Sequence, residues 1–465
     1  MIKIVMSILV ALGLGFSFTC LLWPRQRRLL PDLLLIISLS VGMGFGITSL
    51  LFFLWLIVFG TAGGALIGCE IGLLLVLSAF AVSARWRKQQ VDSLPVRTRR
   101  TPYPKSKIEW VAAITFFFTL FVAGKGFLWF ARGAIQGGWD AWGIWNLRAK
   151  FLFLGGPHWR DAFSAEGAIS HTDYPLLIPA SVARGWSYAG ADIPLVPILL
   201  GFLFTAATVG LLFLSLSVLG SRSQGFLAVT VLLASSFFLV LGGAQYADVP
   251  LGFFFLATLV LLCLHERAAA QSNSMLVLAG TTAGFAAWTK NEGSLFLACL
   301  LLAHLITTLR KQGIRTYLRQ LVLLAAGLGP VLVMLAYFKL NLAGHNDLSS
   351  PFLTALKMLG RISRWRTVAK AFADQVLHFG GWALTITPFL ALYVLLAGVK
   401  KPASIEEKIC LRTLYLTVIG YFLVYVTAPV PLNWLLETSL NRVLVQVWPS
   451  TLFLIFLMTN RLDET

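Results

Sequence analysis

The amino-acid sequence predicts an all-α protein that crosses a membrane many times, and three observations carry that prediction. Hydrophobic residues make up 58% of the chain against 12% charged, with a mean hydropathy of +0.82. A soluble globule has no place for so much apolar surface. Apolar runs of roughly 17–25 residues recur from end to end, each long enough as a helix to cross about 30 Å of hydrocarbon. The basic residues gather in alternate loops, as cytoplasmic loops do.

About thirteen spans follow from hydropathy. They lie near 5–23, 31–56, 62–83, 109–130, 194–218, 223–242, 249–265, 275–289, 293–309, 319–341, 382–399, 409–427 and 443–459. The short pair at 275–309 also fits a re-entrant hairpin. Arg25, Arg27 and Arg28 follow the first span, and the basic stretch 85–108 follows the third. Arg310, Lys311, Arg315 and Arg319 follow the ninth, and Lys400, Lys401 and Lys408 the eleventh. These loops are read as cytoplasmic, which puts the N-terminus outside and the C-terminus inside. Most of the net charge of +18 is then topology, together with attraction to anionic lipid, and no nucleic-acid partner is expected. The first span is retained as a membrane helix and not a cleaved signal peptide, because bulky Leu21, Leu22 and Trp23 stand where small residues are needed. Cys20, Cys69, Cys263, Cys299 and Cys410 fall in or beside apolar spans without paired spacing, and read as small buried hydrophobes.

Four parts are expected: a three-helix membrane segment at 1–84, a basic cytoplasmic linker at 85–108, a seven-helix module at 109–341, and an outer loop with three further helices at 342–465. Within the module, a loop of about sixty residues at 132–193 is long enough to expect a function. It contains Trp139-Asp140-Ala141-Trp142-Gly143-Ile144-Trp145, one carboxylate among three indoles where the chain leaves the membrane, followed by Arg148 and Lys150. It also holds Glu166, His171, Asp173 and Tyr174. Other outer turns bear Asp248 two residues before Pro250, and the pair Lys290 and Glu292. The 341–381 loop carries His345, Asp347 and a basic cluster with Arg361, Arg364 and Arg366, and Arg442 stands at the mouth of the last span.

Each of these has a structural alternative. Tryptophans form ordinary interfacial belts. An acid before a first-turn proline is a common helix start. Lys290 and Glu292 can simply pair, and the arginine cluster can be a solvated amphipathic helix. The chemical alternative makes Asp140 and Asp248 the catalytic carboxylates, or ligands of a divalent metal. Lys290, oriented by Glu292, and Arg148, Lys150, Arg361, Arg364 and Arg442 would then hold an anionic group, with Trp139, Trp142, His171, Asp173 and Tyr174 around the substrate. No P-loop, GxGxxG, HExxH or GxSxG motif is present, which weighs against nucleotide-driven transport and the standard hydrolases.

The order of these elements resembles the GT-C superfamily of membrane glycosyltransferases, within it the bacterial aminoarabinose transferases and protein O-mannosyltransferases. The resemblance rests on Asp140 just past a span, His171-Thr172-Asp173-Tyr174-Pro175-Leu176, Tyr246-Ala247-Asp248-Val249-Pro250-Leu251 and Ala287-Trp288-Thr289-Lys290, and covers roughly 109–341. It implies a polyprenyl-phosphate sugar as donor, a lipid, glycan or protein acceptor, and a site facing the exterior of a bacterial inner membrane. It maps the catalytic aspartate onto Asp140, a second acid onto Asp248 and a phosphate-binding lysine onto Lys290. Three spans precede the usual first helix, and Asn291-Glu292 stands where small or apolar residues are commoner. A flippase of a lipid-linked saccharide is the alternative from another class. It calls for ionisable residues near the midplane and repeated halves, whereas Lys125 is the main charge inside a span and no repeat is visible.

Overall fold

A computed structural model describes residues 1–24, 29–89, 107–164, 170–267, 273–344, 352–380 and 386–460. Arg25, Arg27, Arg28, most of the 85–108 linker, Glu166, His345 and Asp347 lie outside the described residues. Three helices come first: α1 (Ile2–Leu22), α2 (Leu29–Phe59) and α3 (Gly64–Gln89). Next is α4 (Lys107–Gly133), then a loop holding a π-helical turn, Ala141–Trp145, and the short helices α5 (Asn146–Leu154) and α6 (Leu177–Ala189). The centre of the chain forms α7 (Leu195–Leu219), α8 (Arg222–Ala234), α9 (Ser236–Gly243), α10 (Asp248–Arg267), α11 (Asn273–Thr289), α12 (Asn291–Gln312) and α13 (Ile314–Asn341). The last part comprises α14 (Phe352–Leu359), α15 (Ile362–His378), α16 (Ile386–Ala397), α17 (Ile405–Thr427) and α18 (Leu432–Met458). Among the described residues there is no strand, only one isolated antiparallel bridge between Val399 and Thr459.

Ten of these helices are long and apolar enough to cross a membrane. The chain is a multi-pass membrane protein. The three remaining expected spans differ from a plain crossing. The 223–242 segment is two helices, α8 and α9, bent by 68°. Ser235 leaves the helical conformation there, and the freed Ser236 hydroxyl and Phe237 amide both donate to the Gly380 carbonyl. The 275–289 segment is the 17-residue α11, buried from Met275 to Thr289 except at Val277. Of the 382–399 segment, the described part forms the 12-residue α16.

Burial sorts the helices into centre and rim. From Asp248 to His265 every residue of α10 is buried, so this helix, apolar on all sides, is the core around which α7, α11 and α18 pack. By contrast α4 turns Ile114, Phe118, Phe121 and Trp129 outward, as a lipid-facing helix does. Lys125 is exposed on the same helix, its ammonium over the Phe121 ring.

The first three helices are part of this body. α2 packs on α6 and α7, and the Trp288 indole of α11 donates to the Ser49 hydroxyl at 3.1 Å. A buried ion pair joins α3 to α6. The Arg184 guanidinium donates Nε to Glu70 Oε1 and Nη2 to Oε2, both at 2.7 Å, and Nη1 to the Ser7 carbonyl. The Tyr188 hydroxyl donates to the same carboxylate at 2.5 Å. The three-helix segment is thereby fastened to the loop region that carries the candidate site.

Candidate active site

Local backbone geometry brings Asp140 beside Asp248. After α4 the chain turns through Gly137 at φ +84°, where an added Cβ would lie 2.2 Å from that of Ala141. Only glycine suits that turn. The Gly138 amide donates to the Ala244 carbonyl at 2.9 Å. Gln245, itself at φ +64°, donates to the Ile135 carbonyl at 3.1 Å and accepts from the Asn146 amide at 2.8 Å. These bonds pin the loop after α4 to the turn before α10, so the acid closing one faces the acid opening the other.

A second turn supplies the lysine. Lys290 is extended (φ −153°, ψ 161°) between α11 and α12. Gly293 lets the two helices meet this closely, since a Cβ there would sit 1.9 Å from the Ala286 carbonyl oxygen. The lysine ammonium reaches Asp248 Oδ1 at 3.0 Å and Glu292 Oε1 at 2.8 Å.

Arg442 on α18 completes the cluster. It donates two bonds to Asp140, with Nη1 3.2 Å from Oδ1 and Nη2 on Oδ2, and reaches Asp248 Oδ2 from Nη2 at 3.3 Å. One turn further along, Gln446 donates to Asp248 Oδ1 at 2.5 Å and accepts from the Tyr421 hydroxyl at 2.7 Å. Three carboxylates and two cations thus share one network. Its depth is graded. The Asp248 side chain is fully buried and Lys290 nearly so, while Asp140, Arg442 and Glu292 are 10%, 17% and 20% exposed. The accessible layer is Asp140, Arg442 and Glu292, and the buried Asp248–Lys290 pair anchors it.

Aromatic rings bracket the cations. Arg442 lies 4.8 Å from the centre of the Tyr246 ring and Lys290 5.7 Å from that of Tyr174. Burial, then the charge of Glu292, raises the Tyr174 phenol, and burial with Asp140 raises that of Tyr246, so both stay neutral. Burial opposes the charged form of Lys290, but Asp248 and Glu292 outweigh it and hold the ammonium charged.

Arg148 builds the loop that carries Tyr174. Its guanidinium donates to the carbonyls of Tyr174, Ser170 and His171, at 2.8, 2.8 and 2.6 Å. This explains how His171 is held at φ +50°, a costly conformation for a residue with a side chain. Burial draws Arg148 down to about 10, against the pull of Asp173 and Tyr174. The Tyr174 ring stacks on Trp145 at 5.4 Å and on His171 at 5.2 Å. Asp173 is also internal: Asn291 donates to its carboxylate and Lys339 to its carbonyl, both at 2.5 Å. These residues shape the cluster from behind and make no ion pair with Asp140 or Asp248, which Arg442 and Lys290 do.

The other expected site residues fall elsewhere. Lys150 pairs with Asp192 at 3.1 Å, both nearly half exposed. Trp139 and Trp142 meet edge to face at 4.5 Å and are 61% and 48% exposed, so the indole that backs the site is Trp145. Arg361 is exposed at the start of α15. Arg364 caps α17, donating to the carbonyls of Tyr425, Val426 and Ala428 at 3.0, 2.8 and 2.8 Å. Its role is to satisfy a helix end that has run out of partners. Replacing Arg364 with Ala should cost about 1–2 kcal/mol, read as a lower melting temperature in detergent; an unchanged melting temperature would refute the capping role.

The residues do not fit a divalent metal held by Asp140 and Asp248. A guanidinium occupies the space both acids face, and among the described residues no group of three or more His, Cys, Asp or Glu side chains is placed to hold an ion. Gln446, Tyr421, Asn291 and Lys339 were not anticipated. Gln446 had a legible signal, being a polar residue in a span exactly one helical turn from Arg442. No protein-family model matches the chain, and neither a curated protein nor a solved structure matches it.

Proposed function

We propose that this protein transfers a sugar from a polyprenyl phosphate to an acceptor hydroxyl at the outer face of a bacterial cytoplasmic membrane, inverting the anomeric centre in a single displacement. The observation that carries this reading is the pairing of a partly exposed carboxylate, Asp140, with a partly exposed guanidinium, Arg442, above the buried Asp248–Lys290 pair. A base and an anion-binding cation side by side are what the displacement needs.

In the resting site Arg442 is bound to Asp140. A phosphodiester arriving at Arg442 competes with that carboxylate, so donor binding frees Asp140 at the moment a base is needed. The acceptor oxygen then bonds to the anomeric carbon as the bond from that carbon to the phosphate oxygen breaks. The hydroxyl proton passes to Asp140, and the electron pair leaves with the polyprenyl phosphate. Arg442 and Lys290 stabilise the charge gained by the departing phosphate, the contribution that commonly dominates such reactions. Asp248, with Gln446 and Tyr421, keeps both cations aimed.

Purified protein incubated with radiolabelled polyprenyl-phosphate sugars and membrane-extract acceptors should form labelled product. Asp140→Asn should lower the rate by at least about a thousandfold while leaving the melting temperature near that of the wild type. Full activity in that variant would sink the assignment of the base. No product with any donor, together with saccharide-lipid movement in liposomes, would replace transfer by transport.

A further inference from the structure

The α14–α15 arm carries four basic side chains that the cluster does not use. One face of α15 is committed to the protein: Val368 is buried, Trp365 and Phe372 pack against Phe422 of α17, and Arg364 caps that helix. Because α17 is a membrane-spanning helix, a helix that caps its end lies at the boundary between hydrocarbon and water. The opposite side of α15 is split lengthwise. At 100° per residue, Ile362, Ala369, Ala373 and Val376 form one stripe, and Ile362 and Val376 are 66% and 57% exposed. Arg366 and Lys370 run along its edge, both exposed. Beyond them Asp374 and His378 pair with each other at 3.1 Å on the side turned to water. On the rest of the arm Leu353 of α14 is 70% exposed, and Lys357 of α14 and Arg361 at the start of α15 are exposed as well.

An exposed apolar stripe beside a row of cations, at the end of a membrane span, matches the headgroup layer: apolar side chains enter the acyl region and the cations stay at phosphate depth. We propose that the α14–α15 arm lies in the plane of the membrane interface and binds the headgroups of anionic phospholipids through Lys357, Arg361, Arg366 and Lys370. The choice of occupant rests on charge complementarity. Zwitterionic headgroups satisfy the apolar stripe equally well but give the four cations no net counter-charge. This binding is independent of the transfer reaction and stands or falls separately from it.

The test uses the full-length protein in nanodiscs of phosphatidylcholine and phosphatidylglycerol in equal amounts, with retained lipids identified by native mass spectrometry. The wild type should retain phosphatidylglycerol preferentially. With roughly a fivefold contribution per cation, a Lys357→Gln, Arg361→Gln, Arg366→Gln, Lys370→Gln variant should lose at least about tenfold of that preference. All four side chains are exposed, and unchanged size-exclusion behaviour confirms that the variant is folded. A control with Lys357→Arg, Arg361→Lys, Arg366→Lys and Lys370→Arg, which keeps the four charges at the same exposed positions, should keep most of the preference. Equal retention of both lipids by the wild type would overturn the proposal, as would a loss in the control as large as in the arm variant.

Discussion

Asp248→Ala should be among the most destabilising single changes in this protein, costing about 3–5 kcal/mol. The carboxylate is fully buried, and its removal leaves Lys290, 3% exposed, with only one of its two paired carboxylates, the partly exposed Glu292. Gln446 loses its closest acceptor as well. A buried ammonium without its partner is costly because water cannot replace what the carboxylate supplied. Asp248→Asn keeps the shape and one acceptor oxygen, so it should be milder in stability yet still impair the proposed transfer, since Arg442 and Lys290 lose the anion they share. The distinction is measurable as melting temperature beside turnover. The double change Asp248→Ala with Lys290→Met should recover part of the loss, giving a coupling of about 1–3 kcal/mol. If Asp248→Ala melts with the wild type, the cluster is not the buried network described above.

The second large effect belongs to a pair far from the cluster in sequence. Arg184→Met should cost about 3–5 kcal/mol, because Glu70 and Arg184 are each only 1% exposed and share two short bonds. Changing both, Arg184→Met with Glu70→Met, should restore most of that stability, since two apolar side chains leave no charge uncompensated. Because α6 follows directly on the loop bearing Tyr174, the single variant should also reduce turnover more than the double one. Equal damage from single and double variants would show that the site depends on the charges themselves and not on the docking of the first three helices.

The membrane architecture was legible because hydrocarbon imposes one rule on every segment, a long apolar helix with its backbone bonds satisfied internally. Ten of the thirteen expected spans are such helices. The bend at Ser235 was not legible, because the donors beside it are satisfied by a carbonyl of Gly380, more than a hundred residues away. The N-terminal segment was set apart in the sequence by the basic linker at 85–108, and nothing local to Glu70 shows its partner. Glu70 finds Arg184 across 114 positions.

The same division holds for the site. Sequence alone singled out the charges: Asp140, Asp248, Lys290, Glu292 and Arg442 are conspicuous because ionisable groups beside hydrocarbon are costly and so are few. Arg442, expected at the mouth of a span beginning at 443, lies about a third of the way along α18, which starts at Leu432. Tertiary structure decided which of them act together. Arg148, Asp173 and Arg364 looked equivalent to Arg442 as charges in outer loops, but their partners are backbone carbonyls and amide side chains of neighbouring turns. Arg442 alone among those four meets both Asp140 and Asp248. The reason is physical: the apolar pattern along a chain records what each helix avoids, whereas the pairing of buried charges depends on distances between helix ends, and only the packed bundle sets those.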